Sequence, residues 1–339
     1  MNCLRKKLSA LIPLAAFTSI TTSSCFFVVK ALEFNVIAPK GAPSLALLAY
    51  ADDYNHVTIE NNTANVKAAF FLDEYDIIIF DTFTGLKLIQ DKGAEFKLAR
   101  VITNGNLFLV STGHDENDII ESSDNILGFG EGLFPDRVFK ATHPNLKISN
   151  YYNSAANAAV GLCNGEYEGR AIDYLVMSEP FIYNTLNNKS CSTYGKSKVV
   201  ENIKETFIKF SADRGVEFNG FPQAGVFIST RLDETTDKNK KKKVDNFFKT
   251  IDTELDSLER SGARDSLKTL MDYGSLYEQE NIFGLNYKTL EALQIDGKEV
   301  INKLSYYSFE YDIVSFAKMF MSTLNLDLID KDSLSKYFG

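Results

Sequence analysis

Short clusters of glycine, hydroxyl, amide and carboxyl residues stand just past apolar runs in this sequence, where side chains and free backbone N–H groups can grip a small polar molecule. Gly41 to Ser44 is the first: the glycine lets a ligand approach the backbone, and Ser44 either caps the following helix toward that ligand or serves as an ordinary N-cap. Thr82 and Thr84 bracket Phe83 beyond "YDIIIFD", two hydroxyls where Asp or Asn would better suit a plain turn. Asn104 and Asn106 flank Gly105 and offer two amides, with a tight hairpin turn as the competing reading. Gly130, Glu131 and Gly132 follow the run "ILGF", Glu179 precedes Pro180, and Gln223 sits in "FPQAGVFIST". Glu179 also suits a helix cap, and the amide of Gln223 both donates and accepts. The chemistry implied is capture by hydrogen bonding, because helix N-termini with small polar residues hold anionic or strongly polar groups without making or breaking bonds.

What these loops lack excludes other chemistry. His56, His114 and His143 are far apart, so neither a metal triad nor a Ser–His pair is expected. Gly130-Glu131-Gly132 has no Lys-Ser or Lys-Thr after it and makes a poor phosphate loop. Only Lys40 and Arg137 are basic among the candidate loops, so no bidentate clamp for sulfonate or phosphate is visible. A polar or aromatic-ringed solute, stacked on Phe83 or Tyr151, is the expected ligand. We expect no enzyme activity, no cofactor and no metal. A formal charge of −9 argues against nucleic acid, and Lys238 with Lys240 to Lys243 reads as the solvated first turn of an amphipathic helix.

The elements that must position these loops alternate. "EFNVIAP" (33–39), "HVTIE" (56–60) and "YDIIIFD" (75–81) read as strands separated by helical stretches. A strand apolar on both faces is covered on both sides, which indicates a parallel sheet with helices above and below. Strand-like runs at 97–103, 106–112, 125–132 and 171–180 continue the alternation as a second series. A long helix over 238–260 carries Val244, Phe247, Phe248, Ile251 and Leu255 at three- and four-residue spacing, with helical patterns beyond it. No third strand series follows, so these helices need an existing sheet to cover, and 221–230 reads as the strand that returns the chain to it. At 339 residues two lobes are expected: 33–109 with 226–339 as lobe 1, and 110–225 as lobe 2.

The N-terminus has an export signal. Arg5, Lys6 and Lys7 precede the apolar stretch Leu8 to Ile20, which is too short to span a bilayer. Residues 1–24 read as a signal peptide, and its removal takes the charge from −9 to −12. The stretch ends in "TTSSC", which resembles a lipobox with Cys25 as the acylated, palmitate-bearing residue and 25–32 as a tether; the other reading is an uncleaved signal anchor. Cys163 and Cys191 are the cysteines of the body, open either to pairing or to separate burial.

"VIAPKGAPSLALL", "YDIIIFDTFTGLKL", "KLARVITNGNLFLVST", "ILGFGEGLFPDRVF", "AIDYLVMSEP" and "FPQAGVFIST" follow one another in an order similar to that of ABC-importer solute-binding lipoproteins. The chain most resembles their nitrate/sulfonate/taurine and thiamine-precursor branch, over residues 33–230. The resemblance implies an α/β, two-lobed type II periplasmic-binding-protein fold with two crossover strands as hinge, near 106–112 and 222–230. It also implies a small-molecule solute in the interlobe cleft, an ABC permease and its ATPase as partners, a membrane anchor, and a monomer outside the cell membrane. A surface antigen or adhesin on the same scaffold is the alternative. A pyrimidine synthase of thiamine biosynthesis is similar in architecture, but it depends on clustered histidines and cysteines that are missing here.

Overall fold

The computed structural model describes residues 32–50, 53, 55–113, 125–260 and 321–324. In chain order the strands are β1 (Val36–Pro39), β2 (Val57–Glu60), β3 (Ile77–Asp81), β4 (Phe96–Val101), β5 (Phe108–Ser111), β6 (Ile126–Phe129), β7 (Ile148–Tyr152), β8 (Glu166–Tyr167), β9 (Arg170–Ala171), β10 (Tyr174–Met177), β11 (Lys198–Asn202) and β12 (Ala224–Ser229). The α-helices are α1 (Thr63–Ala69), α2 (Thr82–Lys92), α3 (Phe134–Thr142), α4 (Ala155–Asn164), α5 (Phe181–Leu186), α6 (Ile203–Ala212), α7 (Thr230–Asp233) and α8 (Lys238–Arg260). A 3-10 segment over Ala42–Tyr50 follows β1.

Two five-stranded sheets share one topology. The first runs β2-β1-β3-β12-β4, with β1 parallel to β2 and β3, and β12 antiparallel to β3 and β4. The second runs β11-β5-β10-β6-β7, with β6 parallel to β7 and β10, and β5 antiparallel to β10 and β11. Each sheet thus takes its one antiparallel strand straight from the other lobe: β5 arrives after β4, and β12 after α6. Both β3 and β12 are apolar along their length because helices cover both faces of the sheet, as the unbroken hydrophobic runs predict.

Two cores flank the first sheet. One face packs Phe34, Tyr50, Val226, Phe247 and Ile251, which seats α8 on the 3-10 segment. On the other, Phe70 lies edge-on to Phe80, Phe96 and Phe227 with centroids 5.8, 5.2 and 5.1 Å away. Phe227 is fully buried, and burial of such a ring stabilises by about 1.5–3 kcal/mol. This second core continues into the other lobe through Phe83, Phe134, Phe221 and Phe207, so the lobes share an apolar seam.

The two-lobed α/β class and the pair of crossovers agree with the sequence reading, and two details differ. The expected boundary at 109/110 falls inside β5, all of which lies in the second sheet; the passages between sheets are residues 102–107 and 218–223, joined by an antiparallel bridge between Asn104 and Pro222. Residues 321–324, expected in lobe 1, lie beside Ala141, Phe210 and Val216 of the second lobe, because Met321 and Leu324 bury their side chains there. Cys163 and Cys191 form a disulfide with Cα atoms 4.5 Å apart, tying the end of α4 to the loop after α5. The signal, residues 25–31 of the tether with Cys25, His114 and residues 261–320 and 325–339 lie outside the described residues.

Candidate functional site

A cavity of about 70 Å³ opens where the C-terminal ends of the parallel strands of both sheets meet. Open α/β sheets place ligands there, because the loops leaving those strand ends start helices whose N–H groups point into the crevice. The first lobe contributes Pro39 to Pro43, Asn61 and Thr63, and Asp81 at the end of β3. The second contributes Phe129, Leu133, Pro135, Ala155 and Ser178, and the return passage supplies Gln223. By volume the space suits a few waters, or a solute with a similar handful of heavy atoms, since one water needs roughly 10–15 Å³.

The lobes touch around this cavity. The backbone N–H and hydroxyl of Thr63 donate to the carbonyl of Asn153 at 3.4 and 3.2 Å. Phe83 stacks on Phe134 with centroids 4.2 Å apart and planes 25° apart. Gly41 has φ +122°, a backbone conformation that favours glycine, and a Cβ there would stand 3.1 Å from the Phe181 ring of the opposite lobe, a tight approach.

The passages between the lobes are knit by the amides expected in the cleft. The side-chain amide of Asn104 reaches the carbonyl of Asn219 at 3.4 Å. The Asn106 N–H donates to Gln223 Oε1 at 2.9 Å, and its Nδ2 to the Glu179 carbonyl at 3.0 Å. The Gln223 carbonyl accepts from the Thr82 N–H at 3.0 Å. Of these groups only Gln223 also lines the cavity.

The other expected site residues fall in different places. Gly41 lines the cavity, whereas Ser44 is fully buried and donates its hydroxyl to the Gly41 carbonyl at 2.7 Å. That bond closes the turn in place of a ligand contact. Thr82 is buried with no partner for Oγ1, and Thr84 donates its N–H to Asp81. Phe83, expected to stack on a solute, stacks on Phe134 and is almost wholly buried. Tyr151, the other expected ring, donates its hydroxyl to Asp136 at 3.0 Å. Glu131 and Gly132 border a separate 310 Å³ groove with Thr84, Lys87 and Arg137, while the Gly130 N–H bonds the Tyr152 carbonyl. Glu179 caps α5, its Oε2 accepting from the Tyr183 N–H at 3.0 Å, as the cap reading anticipated.

Asp81 was not among the expected site residues. It is the N-cap of α2, its Oδ1 accepting from the Thr84 N–H at 2.7 Å. Its Oδ2 is shut off from solvent and completes no hydrogen bond. Burial pushes the carboxyl up to about 6, against the opposing pull of Thr84, of the nearby Phe134 amide and of the charge of Arg137. Burial also pulls the Lys40 ammonium, which lines the same cavity, below the ordinary lysine range. The available signal for Asp81 was an acid ending an otherwise apolar strand.

No protein-family model and no curated protein sequence matches the chain. Solved structures do. An ABC transporter structure from Parabacteroides distasonis is 17% identical, with TM-score 0.53, covering 88% of this chain and 96% of its own. The zinc-bound ligand-binding component of an ABC-type import system from Staphylococcus aureus is 14% identical, with TM-score 0.57 and coverage of 90% and 98%. The periplasmic aliphatic sulphonate-binding protein SsuA from Escherichia coli is 13% identical, with TM-score 0.52 and coverage of 90% and 96%. With its paired five-stranded sheets, two crossovers and interlobe cavity, this chain has the fold of periplasmic-binding-protein-like solute-binding proteins of ABC importers.

Proposed function

We propose that this protein captures a small polar solute in its interlobe cleft, outside the cell membrane, and delivers it without chemical change to an ABC permease driven by an ATPase. The observation that carries this reading is the cavity itself, lined by strand-end loops of both lobes and by Gln223 of the return passage. A solute seated there contacts both halves at once, so binding energy is gained only when the halves approach, the requirement for capture by hinge closure. The structural neighbours that are import components support it, as does an N-terminal sequence that reads as an export signal. We read Cys25 as the lipid anchor and the protein as a monomer.

The test is equilibrium binding to the exported chain, by calorimetry over a panel of small solutes, with small-angle scattering of free and bound forms. Tight one-to-one binding with a smaller radius of gyration is expected. If no solute binds and scattering never changes, capture is wrong.

A further inference from the structure

Given solute capture as the function, on which this inference rests, Asp81 bears on which solutes the cleft admits. It lines the cavity at the end of β3. One carboxylate oxygen is taken by the Thr84 N–H at the start of α2, and the Phe134 amide at the start of α3 lies close enough to favour the charged form. Two helix N-termini, one from each lobe, thus converge on a single carboxylate. Helix N-termini are the natural seats for an anion, and here a side chain of the protein already supplies that charge. A second negative charge brought beside it meets like-charge repulsion in a poorly solvated place. Meanwhile Oδ2 is buried without a completed hydrogen bond, which is costly until a donor arrives.

We infer that Asp81 sets the specificity of the cleft, excluding anions and selecting a small solute that presents a hydrogen-bond donor, such as an amine, an amidine or an amino-substituted ring. Lys40 is the other charged side chain lining the cavity, and burial weakens its hold on its proton. Arg137, on α3, favours the ionised carboxylate from the second lobe. Neither removes the carboxylate from the path of an incoming anion.

The test uses the exported chain at neutral pH, titrated calorimetrically with ethylammonium, guanidinium and cytosine on one side, and nitrate, acetate and methanesulfonate on the other. Wild type is compared with Asp81→Asn, which keeps an N-cap, with Asp81→Ser as a second capping variant, and with Lys40→Gln. Thermal melting confirms that each is folded. At least one donor-bearing probe binds wild type while the anions do not. Asp81→Asn weakens that probe by about 10- to 100-fold, the loss expected for a hydrogen bond to a charged group, and lets an anion in. The inference is overturned if anions bind wild type better than donors, if the Asp81 variants leave donor affinity unchanged, or if Lys40→Gln alone reverses the ranking. In those cases solute capture still stands. If no probe of either class binds and scattering is unmoved, capture itself fails and this inference falls with it.

Discussion

Asp81 holds its charge where burial works against it, and this has a consequence even without a solute. Its folded pKa is raised to about 6, above the ~3.9 of an unfolded aspartate, so the folded chain binds this proton more tightly than the unfolded one. Such a group contributes its full stability below the unfolded value and loses it as pH rises through the folded value. Asn mimics the protonated carboxyl, so the Tm of Asp81→Asn minus that of wild type should grow in favour of Asn between about pH 4 and about pH 7. Scanning calorimetry across that range checks it, and a flat difference would mean that the carboxylate is well solvated. At this scale the sequence was partly legible. It located the loops at Gly41, Thr82 and Gln223, because turn chemistry and strand ends leave marks in residue type. It could not tell which way a hydroxyl points. Ser44 turns back to the Gly41 carbonyl and Thr82 turns toward Gly225 of β12, whereas Asp81, which as a letter is an ordinary N-cap, lines the cavity.

Between elements, α2 lies so close to β12 that position 85 has no room for a side chain. A Cβ on Gly85 would overlap the buried Phe227 ring, which Phe70 holds edge-on at 5.1 Å. Replacing a helix-interior glycine by alanine ordinarily gains about 0.5–1 kcal/mol. Here Gly85→Ala should instead cost about 1–3 kcal/mol through overpacking, read as a lower denaturation midpoint in urea. A gain would show that α2 can slide off the sheet. The strands around this contact were readable because unbroken apolar runs such as 77–80 have little other use. The β11–α6 unit was not: Lys198–Asn202 is half polar, lies at a sheet edge, and has no hydrophobic run to betray it. The disulfide was equally hidden, since 28 residues of separation say nothing about the geometry that brings Cys163 to Cys191.

At the scale of the whole molecule, the late helix α8 covers an earlier sheet as its pattern predicts, lying over the 3-10 segment and β12 of the first lobe. Residues 321–324 depart from that expectation because an apolar pair such as Met321 and Leu324 does not name the surface it will cover. Attachment belongs to this scale too. A lipid on Cys25 would hold the entire body at the membrane, and no described helix is long and apolar enough to cross one. Cys25→Ala should therefore abolish incorporation of labelled palmitate and move the protein from the membrane fraction to the medium. Continued membrane retention without label would favour the uncleaved anchor. The seat of residues 321–324 has one more consequence. With α8 on one lobe and these residues on the other, the polypeptide goes over a third time, so the second lobe is no cassette that two cuts in the passages could lift out. A fragment spanning 108–223 would leave uncovered the apolar surface beside Phe210 and Val216 and should self-associate through it.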